Sequence, residues 1–132
     1  MTMTALTGAR ILAVDGWRDG HALLIEAGQI MAIVAETEVP TDAFRQKLSG
    51  GMLVPGFIDT QVNGGGGVFL NDSPTVEAIA TIAATHRRFG TTGFLPTLIS
   101  DDLSVIQNAI AAVDAAIVQG VPGVLGDRKS VV

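Results

Sequence analysis

Cysteine is absent from this chain, and basic residues and long apolar runs are scarce. Without cysteine the chain can form neither disulfides nor thiolate metal sites. No stretch approaches the ~18 consecutive apolar residues of a membrane-spanning helix, and residues 1–11 lack the basic region and apolar core of a secretory signal. The 8 Lys and Arg against 13 Asp and Glu give a net charge of −5, which argues against a nucleic-acid surface. These absences predict a cytoplasmic protein that binds neither membrane nor nucleic acid.

The composition is that of a chain that folds around a hydrophobic core. Of its 132 residues 48% are hydrophobic and only 16% are charged, which excludes a disordered chain. The mean hydropathy of +0.45 is high. Sheets that are buried on both faces produce this bias, because their strands read as nearly continuous apolar runs.

The first fifty residues have the pattern of antiparallel β-structure. Apolar runs at His21–Glu26 and Gln29–Ala35 flank the turn signal Ala27-Gly28, a spacing that predicts a hairpin. The stretch Glu36–Gly51 is more polar and predicts a connector. We therefore predict a domain boundary near residue 50, with residues 1–50 as part of a small β-sandwich domain.

From residue 51 strand and helix patterns alternate. Met52–Val62 predicts a buried strand that Pro55-Gly56 interrupts, Thr91–Ile99 predicts a second strand, and Val124–Gly126 predicts the start of a third. Short links in a β-α-β-α-β order predict parallel strands with right-handed crossovers. Periodicity alone leaves both a barrel and an open doubly wound sheet open.

Two amphipathic helices separate these strands. For the first, Asn71, Asp72 or Ser73 is the expected N-cap, and His86 is expected near the negative helix end. For the second, Asp101 or Asp102 is the expected cap. Their expected core faces are Val76, Ile79, Ala80 and Ala83 in the first helix, and Leu103, Ile106, Ile110, Val113 and Ile117 in the second.

The last six residues, 127–132, break the pattern. An apolar strand has just begun at Val124 when the sequence changes to Asp-Arg-Lys-Ser. A strand of three residues is short against the usual ~5–6. We therefore predict that residues 127–132 are a non-native tail.

Three polar residues stand at the end of the first long strand. Asp59, Gln61 and Asn63 would share one face, because side chains alternate along a strand. The carboxyl ends of parallel strands are where active sites lie in α/β folds. The alternative is that these side chains satisfy backbone groups where the strand turns into a loop, and spacing does not decide between the two.

Glycines and a threonine complete the candidate site. Gly64 and Gly65 open a run of four glycines, which predicts a flexible loop at the mouth of an active site. The run lacks the Lys-Ser/Thr of a nucleotide-binding loop. Thr97 ends the second strand and either faces the cavity or is a simple strand-end hydroxyl.

These stretches resemble the N-acetylglucosamine-6-phosphate deacetylases of the amidohydrolase superfamily. Pro-Gly-Phe-Ile-Asp at 55–59 alone is similar to the first barrel strand of the whole superfamily, which usually continues with His-x-His; here Gln61 and Asn63 stand at those positions. The resemblance extends from about Leu6 to Gly126. The other matching stretches are Gly28-Gln29-Ile30, Gly64 to Asp72, Thr91 to Ile99 and Gly123 to Gly126.

The resemblance implies the fold, reaction and cofactor of a longer protein. It implies an α/β chain that opens a (β/α)8 TIM-like barrel, with two βα units and a stub of the third strand over 51–126. It implies hydrolysis of N-acetylglucosamine 6-phosphate to glucosamine 6-phosphate and acetate, with one divalent metal, expected to be zinc, that activates water. A single metal is expected because Gln61 and Asn63 offer neutral amides, which bind zinc poorly. A homodimer and a sugar-phosphate substrate are implied as partners.

The resemblance also implies that this chain carries no catalytic residue and no metal ligand. The family has His-x-Glu-Gly-Pro after the position of Gly126, where Asp127-Arg128-Lys129 stands here. The ligands are therefore expected beyond Gly126, and we predict a fragment without deacetylase activity. The residues expected to line the active site are Asp59, Gln61, Asn63, Gly64, Gly65 and Thr97. The alternatives are another metal-dependent amidohydrolase acting on a cyclic amide, or a non-catalytic ligand-binding module.

Overall fold

The computed structural model describes residues 3–126 and the backbone of residues 128 and 129. The chain divides into two compact units after Pro55. No helix within the described ranges is long and apolar enough to span a membrane. Most of the predicted tail, 127–132, lies outside the described residues.

The first unit contains two small sheets. The strands are β1 Thr4–Thr7, β2 Arg10–Ala13, β3 Gly16–Arg18, β4 His21–Glu26, β5 Gln29–Ala35, β6 Phe44–Lys47 and β7 Met52–Leu53, with a 3-10 helix at Glu36–Glu38. One sheet has the order β5-β4-β1-β6 and the other β3-β2-β7. The β1–β6 and β2–β7 pairs are parallel and the remaining pairs are antiparallel.

The predicted hairpin is confirmed at its predicted bounds. Strands β4 and β5 pair antiparallel, and Ala27 and Gly28 between them have φ of 50° and 77°. Two consecutive residues with positive φ form a type I′ turn, whose twist matches that of the flanking strands.

The predicted connector, Glu36–Gly51, is wrong in part. It contains β6, which pairs with β1 through main-chain groups while all four of its residues are exposed. An exposed strand needs no alternating apolar pattern, so the sequence carries no such signal. The small core of this unit consists of Ala5, Ala22, Leu24 and Val39.

The second unit contains a parallel sheet and two helices. Its elements are β8 Phe57–Val62, β9 Gly64–Gly65, β10 Val68–Phe69, α1 Val76–Arg87, β11 Thr91–Leu98, α2 Leu103–Val118 and β12 Arg128–Lys129. The sheet has the order β12-β11-β8, and β8 and β11 pair in parallel across α1, as predicted.

The chain after α2 returns alongside β11. The Phe94 N–H donates to Gly123 O at 2.7 Å, and the Leu125 N–H donates to Phe94 O at 3.1 Å. Phe94 and Val124 form a parallel bridge. The backbone of β12 then pairs in parallel with Thr97–Leu98, so the main chain of residues 128 and 129 extends the path that begins at Val124.

The run Met52–Val62 is interrupted at Pro55-Gly56 as predicted, but the predicted burial is wrong for β8, where Phe57 and Ile58 are 64% and 58% exposed. Met52–Leu53 pairs with β2 in the first unit, and Phe57–Val62 forms β8 in the second. Pro55-Gly56 separates the two pieces. Proline has no N–H for a ladder hydrogen bond and glycine weakens a strand, which accounts for the break.

The helix predictions are right in position and wrong in detail. The cap of α1 is Thr75, whose Oγ1 accepts from the Ala78 N–H at 3.2 Å, and not Asn71, Asp72 or Ser73. Asp102 holds the N-cap position of α2 without a capping hydrogen bond from its side chain. The residues that α2 buries are Ala109, Ala112, Val113 and Ala116, whereas the predicted Leu103 and Ile117 are exposed.

The core of the second unit lies between the sheet and the helices. Its largest buried side chains are Phe94, Leu70, Ile79 and Ile82. Leu70 follows β10 directly, so this core anchors the segment that connects β8 to α1. This buried core therefore supports the residues at the carboxyl ends of β8 and β11.

Candidate active-site face at the strand ends

The end of β8 does not alternate regularly. Asp59 is paired with Phe94 and Val62 with Pro96, so β8 uses three residue steps where β11 uses two. A β-bulge of this kind interrupts the alternation and re-aims side chains. The Asp59 Oδ1 accepts the Gln61 N–H at 3.0 Å across the irregularity. The shared face of Asp59, Gln61 and Asn63 assumes regular alternation, and with this irregularity in the pairing it stays a prediction.

Asn63 connects the ends of the two strands. Its Nδ2 donates to Thr97 O at 2.9 Å, and its own carbonyl accepts the Leu70 N–H at 2.9 Å. Thr97 is 0% exposed, and its Oγ1 donates to Leu95 O at 3.0 Å. The structure thus brings Asn63 into contact with the main chain of Thr97. The hydroxyl of Thr97 is hydrogen-bonded to a main-chain carbonyl of its own strand.

The glycine run, predicted to be a flexible loop, forms a short β-hairpin. Gly64 and Gly65 pair antiparallel with Val68 and Phe69. Gly66 and its neighbour Gly67 have φ of 64° and 79°, the left-handed values of a type I′ turn that glycine adopts without strain. The hairpin signal was present in the sequence as Gly-Gly before an apolar pair.

Helix α1 holds this hairpin from one side. The His86 Nε2 lies 2.9 Å from Gly64 O, and it donates there in the tautomer that is protonated at Nε2. A Cβ at Gly65 would lie 3.0 Å from His86 Nε2, and one at Gly66 would lie 2.5 Å from Thr85 Oγ1. The glycines are therefore required by close approach to α1, and His86 does more than favour the helix end.

Asn71 makes a second connection between the strand ends. Its Oδ1 accepts the Ile99 N–H at 3.1 Å, and its Nδ2 donates to Ile99 O at 3.0 Å. The same Nδ2 lies 2.8 Å from Asp101 Oδ2. Hydrogen bonds from Asn71 and from the Asp102 N–H hold the pKa of the Asp101 carboxyl below its usual value. Asn71 thus connects two loops through its side-chain amide. The sequence predicted a hydrogen-bonding role for it, but as a helix cap.

The residues of this face do not form a metal site. Within the described part of the chain, no three His, Cys, Asp or Glu side chains come together to hold a metal ion. The Asn63 amide is engaged by a main-chain carbonyl and Asp59 by a main-chain N–H. The described residues of this face therefore do not supply three such side chains for a divalent metal.

Curated relatives match nearly the whole of this chain. It is 41% identical over 126 residues to an N-acetylgalactosamine-6-phosphate deacetylase of Shewanella, covering 94% of this chain and 32% of the relative. It is 38% identical over 96 residues to an N-acetylglucosamine-6-phosphate deacetylase of Haemophilus influenzae, covering 73% and 25%. The chain thus spans about a third or less of the curated relatives it matches. No protein-family profile matches it.

Solved structures agree with the sequence comparison. An N-acetylglucosamine-6-phosphate deacetylase from Pasteurella multocida superposes with a TM-score of 0.84 at 32% identity, over 89% of this chain and 31% of that one. A mutant of the Mycobacterium smegmatis enzyme in complex with N-acetyl-D-glucosamine-6-phosphate superposes with a TM-score of 0.76 at 26% identity, over 92% and 31%. The resemblance found from the sequence motifs is confirmed.

Proposed function

We propose that this chain, homologous to the N-acetylhexosamine-6-phosphate deacetylases, forms the N-terminal third of such an enzyme. The reaction proposed for the whole protein is hydrolysis of the acetamide of N-acetylglucosamine 6-phosphate to glucosamine 6-phosphate and acetate. The observation that carries this proposal is the 41% identity over 94% of the chain to a relative that bears a deacetylase name. The proposed partner is thus a small sugar phosphate.

The fold proposed for this third is a partial β-sandwich followed by the opening of a (β/α)8 barrel. The parallel pairing of β8 and β11 across α1 supports it, and so does the return of the chain along β11 at Val124. The domain assignment, 1–50 and 51–126, remains a prediction beside the division of compact units after Pro55. Homodimerisation and a cytoplasmic location also remain predictions for the whole protein.

N-acetylgalactosamine 6-phosphate is a second candidate substrate. The Shewanella relative with 41% identity bears the name of a deacetylase for that sugar, whereas the Haemophilus relative bears the name for the glucosamine sugar. The two sugars are epimers, so both fit one reaction class. Direct comparison of the two substrates distinguishes them.

The metal proposed for the whole protein depends on residues outside this chain. The described residues offer no ligand set, so we derive no step through a metal from them. We propose that one divalent cation, zinc by expectation, is held by residues that follow the position of Gly126 in the longer protein. The part proposed for this chain is to shape the site with Asp59, Gln61, Asn63 and the glycine hairpin.

A chimera tests the proposal directly. Residues 1–126 of this chain replace the aligned segment of the Shewanella relative, whose remaining residues supply the rest of the protein. We expect the chimera to release acetate from one or both N-acetylhexosamine 6-phosphates, and the isolated chain to release none. The unaltered relative is the positive control. A chimera that folds and binds metal but hydrolyses neither sugar would overturn the proposal, and so would turnover by the isolated chain.

A matched pair of substitutions in the chimera tests the proposed lining. Asp59→Asn removes the one charge within β8, while Asp72→Asn removes a charge from an exposed position in the segment that follows. We expect the first to lower kcat/KM and the second to leave it unchanged. Equal effects of the two would remove Asp59 from the proposed site.

A further inference from the structure

The residue after the end of β11 is bound through both its N–H and its C=O by one asparagine side chain, which follows β10. Asn71 accepts the Ile99 N–H at 3.1 Å and donates to Ile99 O at 3.0 Å. This is the hydrogen-bond pattern that one strand offers to its neighbour, supplied here by a side chain. The last residue of β11 is Leu98, so the amide extends the pairing of β11 beyond its end.

The third hydrogen bond of Asn71 reaches the start of α2. Its Nδ2 lies 2.8 Å from Asp101 Oδ2, while Asp101 Oδ1 accepts the Asp102 N–H at 2.8 Å. A hydrogen bond to a carboxylate is shorter and stronger than one between neutral groups. A single amide thus ties three segments, namely the loop after β10, the end of β11 and the entry to α2.

The backbone that carries Asn71 is itself fixed. Its neighbour Leu70 is 1% exposed in the core, and the Leu70 N–H donates to Asn63 O at 2.9 Å. Asn63 in turn donates to Thr97 O. Asn71 is therefore a rigid point from which the neighbouring strand end is positioned.

We propose that Asn71 is a positioning residue, which uses its side-chain amide to hold the end of β11 and the entry to α2 against the glycine hairpin at the substrate face. The part of this proposal that concerns substrate rests on the proposed function. The tie itself does not, because it follows from the hydrogen bonds of this chain. Aspartate at this position keeps an acceptor for the Ile99 N–H but loses both donors, and it brings a second carboxylate against Asp101.

Hydrogen exchange in the full chain tests the tie. Repulsion between the carboxylates at positions 71 and 101 should move the new side chain away from Ile99, so we expect Asn71→Asp to accelerate exchange of the Ile99 amide by about tenfold, the effect of losing one hydrogen bond. In the double variant N71D/D101N the amide and the carboxylate trade places, so one hydrogen bond between positions 71 and 101 returns. The double variant should therefore exchange more slowly than N71D. Exchange at Ile99 that is unchanged in N71D, or equally fast in both variants, would overturn the tie.

Kinetics of the chimera test the positioning role. We expect N71D to lower kcat more than it changes KM, because a misplaced strand end disturbs orientation at the reacting centre, and N71D/D101N to recover part of the loss. Asp72→Asn is the matched control in the adjacent residue. A chimera that is active as built but whose kcat does not respond to N71D would refute positioning. An inactive chimera would refute the proposed function, while the exchange measurement would still decide on the tie.

Discussion

Exchanging Gly66 for alanine should destabilise the protein more than the same exchange at Gly67. Both residues have positive φ, 64° and 79°, so both exchanges incur the left-handed backbone cost of ~1–2 kcal/mol. Only the first also creates a clash, since a Cβ at Gly66 would lie 2.5 Å from Thr85 Oγ1 and 3.1 Å from Thr81 Cγ2, whereas one at Gly67 would meet nothing within 4 Å. Overpacking of this kind costs about 1–3 kcal/mol, which is the expected difference between the two variants.

Urea denaturation of the full chain measures this difference as a change in the free energy of unfolding. Most of this difference should disappear when the clashing hydroxyl group is removed. Thr85→Ala removes the hydroxyl that the new methyl group would meet, and it leaves the milder contact with Thr81. In a Thr85→Ala background the gap between G66A and G67A should therefore shrink by more than half. Equal destabilisation by the two alanines, or a gap that persists without the Thr85 hydroxyl, would refute the packing of the hairpin on α1.

Three further predictions concern the second unit and the tie at its edge. Phe94→Ala should cost ~3–5 kcal/mol of unfolding free energy because Phe94 is 2% exposed, whereas Phe89→Ala, at 76% exposed, should cost little; equal midpoints in urea would contradict the assigned core. Thr75→Ala should cost ~1 kcal/mol of unfolding free energy by removing the cap of α1. Thr75→Ser and Ser73→Ala should be close to neutral in thermal denaturation. A larger effect of Ser73→Ala than of Thr75→Ala would identify Ser73 as the cap. The pKa of Asp101 lies below its usual value because Asn71 and the Asp102 N–H donate to the carboxylate. Its contribution to stability is therefore present above the pKa of the unfolded chain and is lost as pH falls through the lower pKa of the folded state. Asn71→Leu should raise the pKa of Asp101 in an NMR titration of its carboxyl carbon, and an unchanged titration would show that Asn71 is not its partner.

Local turn chemistry predicts the fold best where the turn and the flanking pattern agree. The hairpin of β4 and β5 follows from Ala27-Gly28 between two apolar runs, and its bounds in the structure are the predicted ones. Prediction fails where pairing involves only main-chain groups. Strand β6 pairs with β1 although all its side chains are exposed, so the alternation that identifies a strand is missing.

The buried face of α2 shows the limit of periodicity. The helix is apolar nearly all round, so several stripes fit a 3.6-residue repeat. The larger side chains predict one stripe, but the helix buries Ala109, Ala112 and Ala116 beside Val113. Close packing against the sheet and α1 favours small residues, and that contact does not exist in the sequence of one helix.

The sequence predicts which residue types stand at the candidate site, but it does not predict the contacts that their side chains make. Asn63 and Asn71 are conspicuous in the sequence, but the chemistry of an amide permits a cap, a ligand or a bridge. The choice depends on what a neighbouring strand presents, here Thr97 and Ile99, which are 34 and 28 residues away. The pairing of β8 with β11 is also irregular after Asp59, which strict alternation cannot anticipate.

The Asn63 amide gives a structural reason for one of the two positions at which the resemblance would place an imidazole. Its Nδ2 donates to Thr97 O at 2.9 Å and so joins the end of β8 to β11. Neutral amides bind zinc poorly, so at this position a connection between strands takes the place of a possible metal ligand. That exchange is consistent with the single-metal site proposed for the whole protein. Asn71 stands outside this pair of positions, and there the amide accepts one main-chain N–H and donates to a main-chain carbonyl, which copies the pairing of a strand with Ile99.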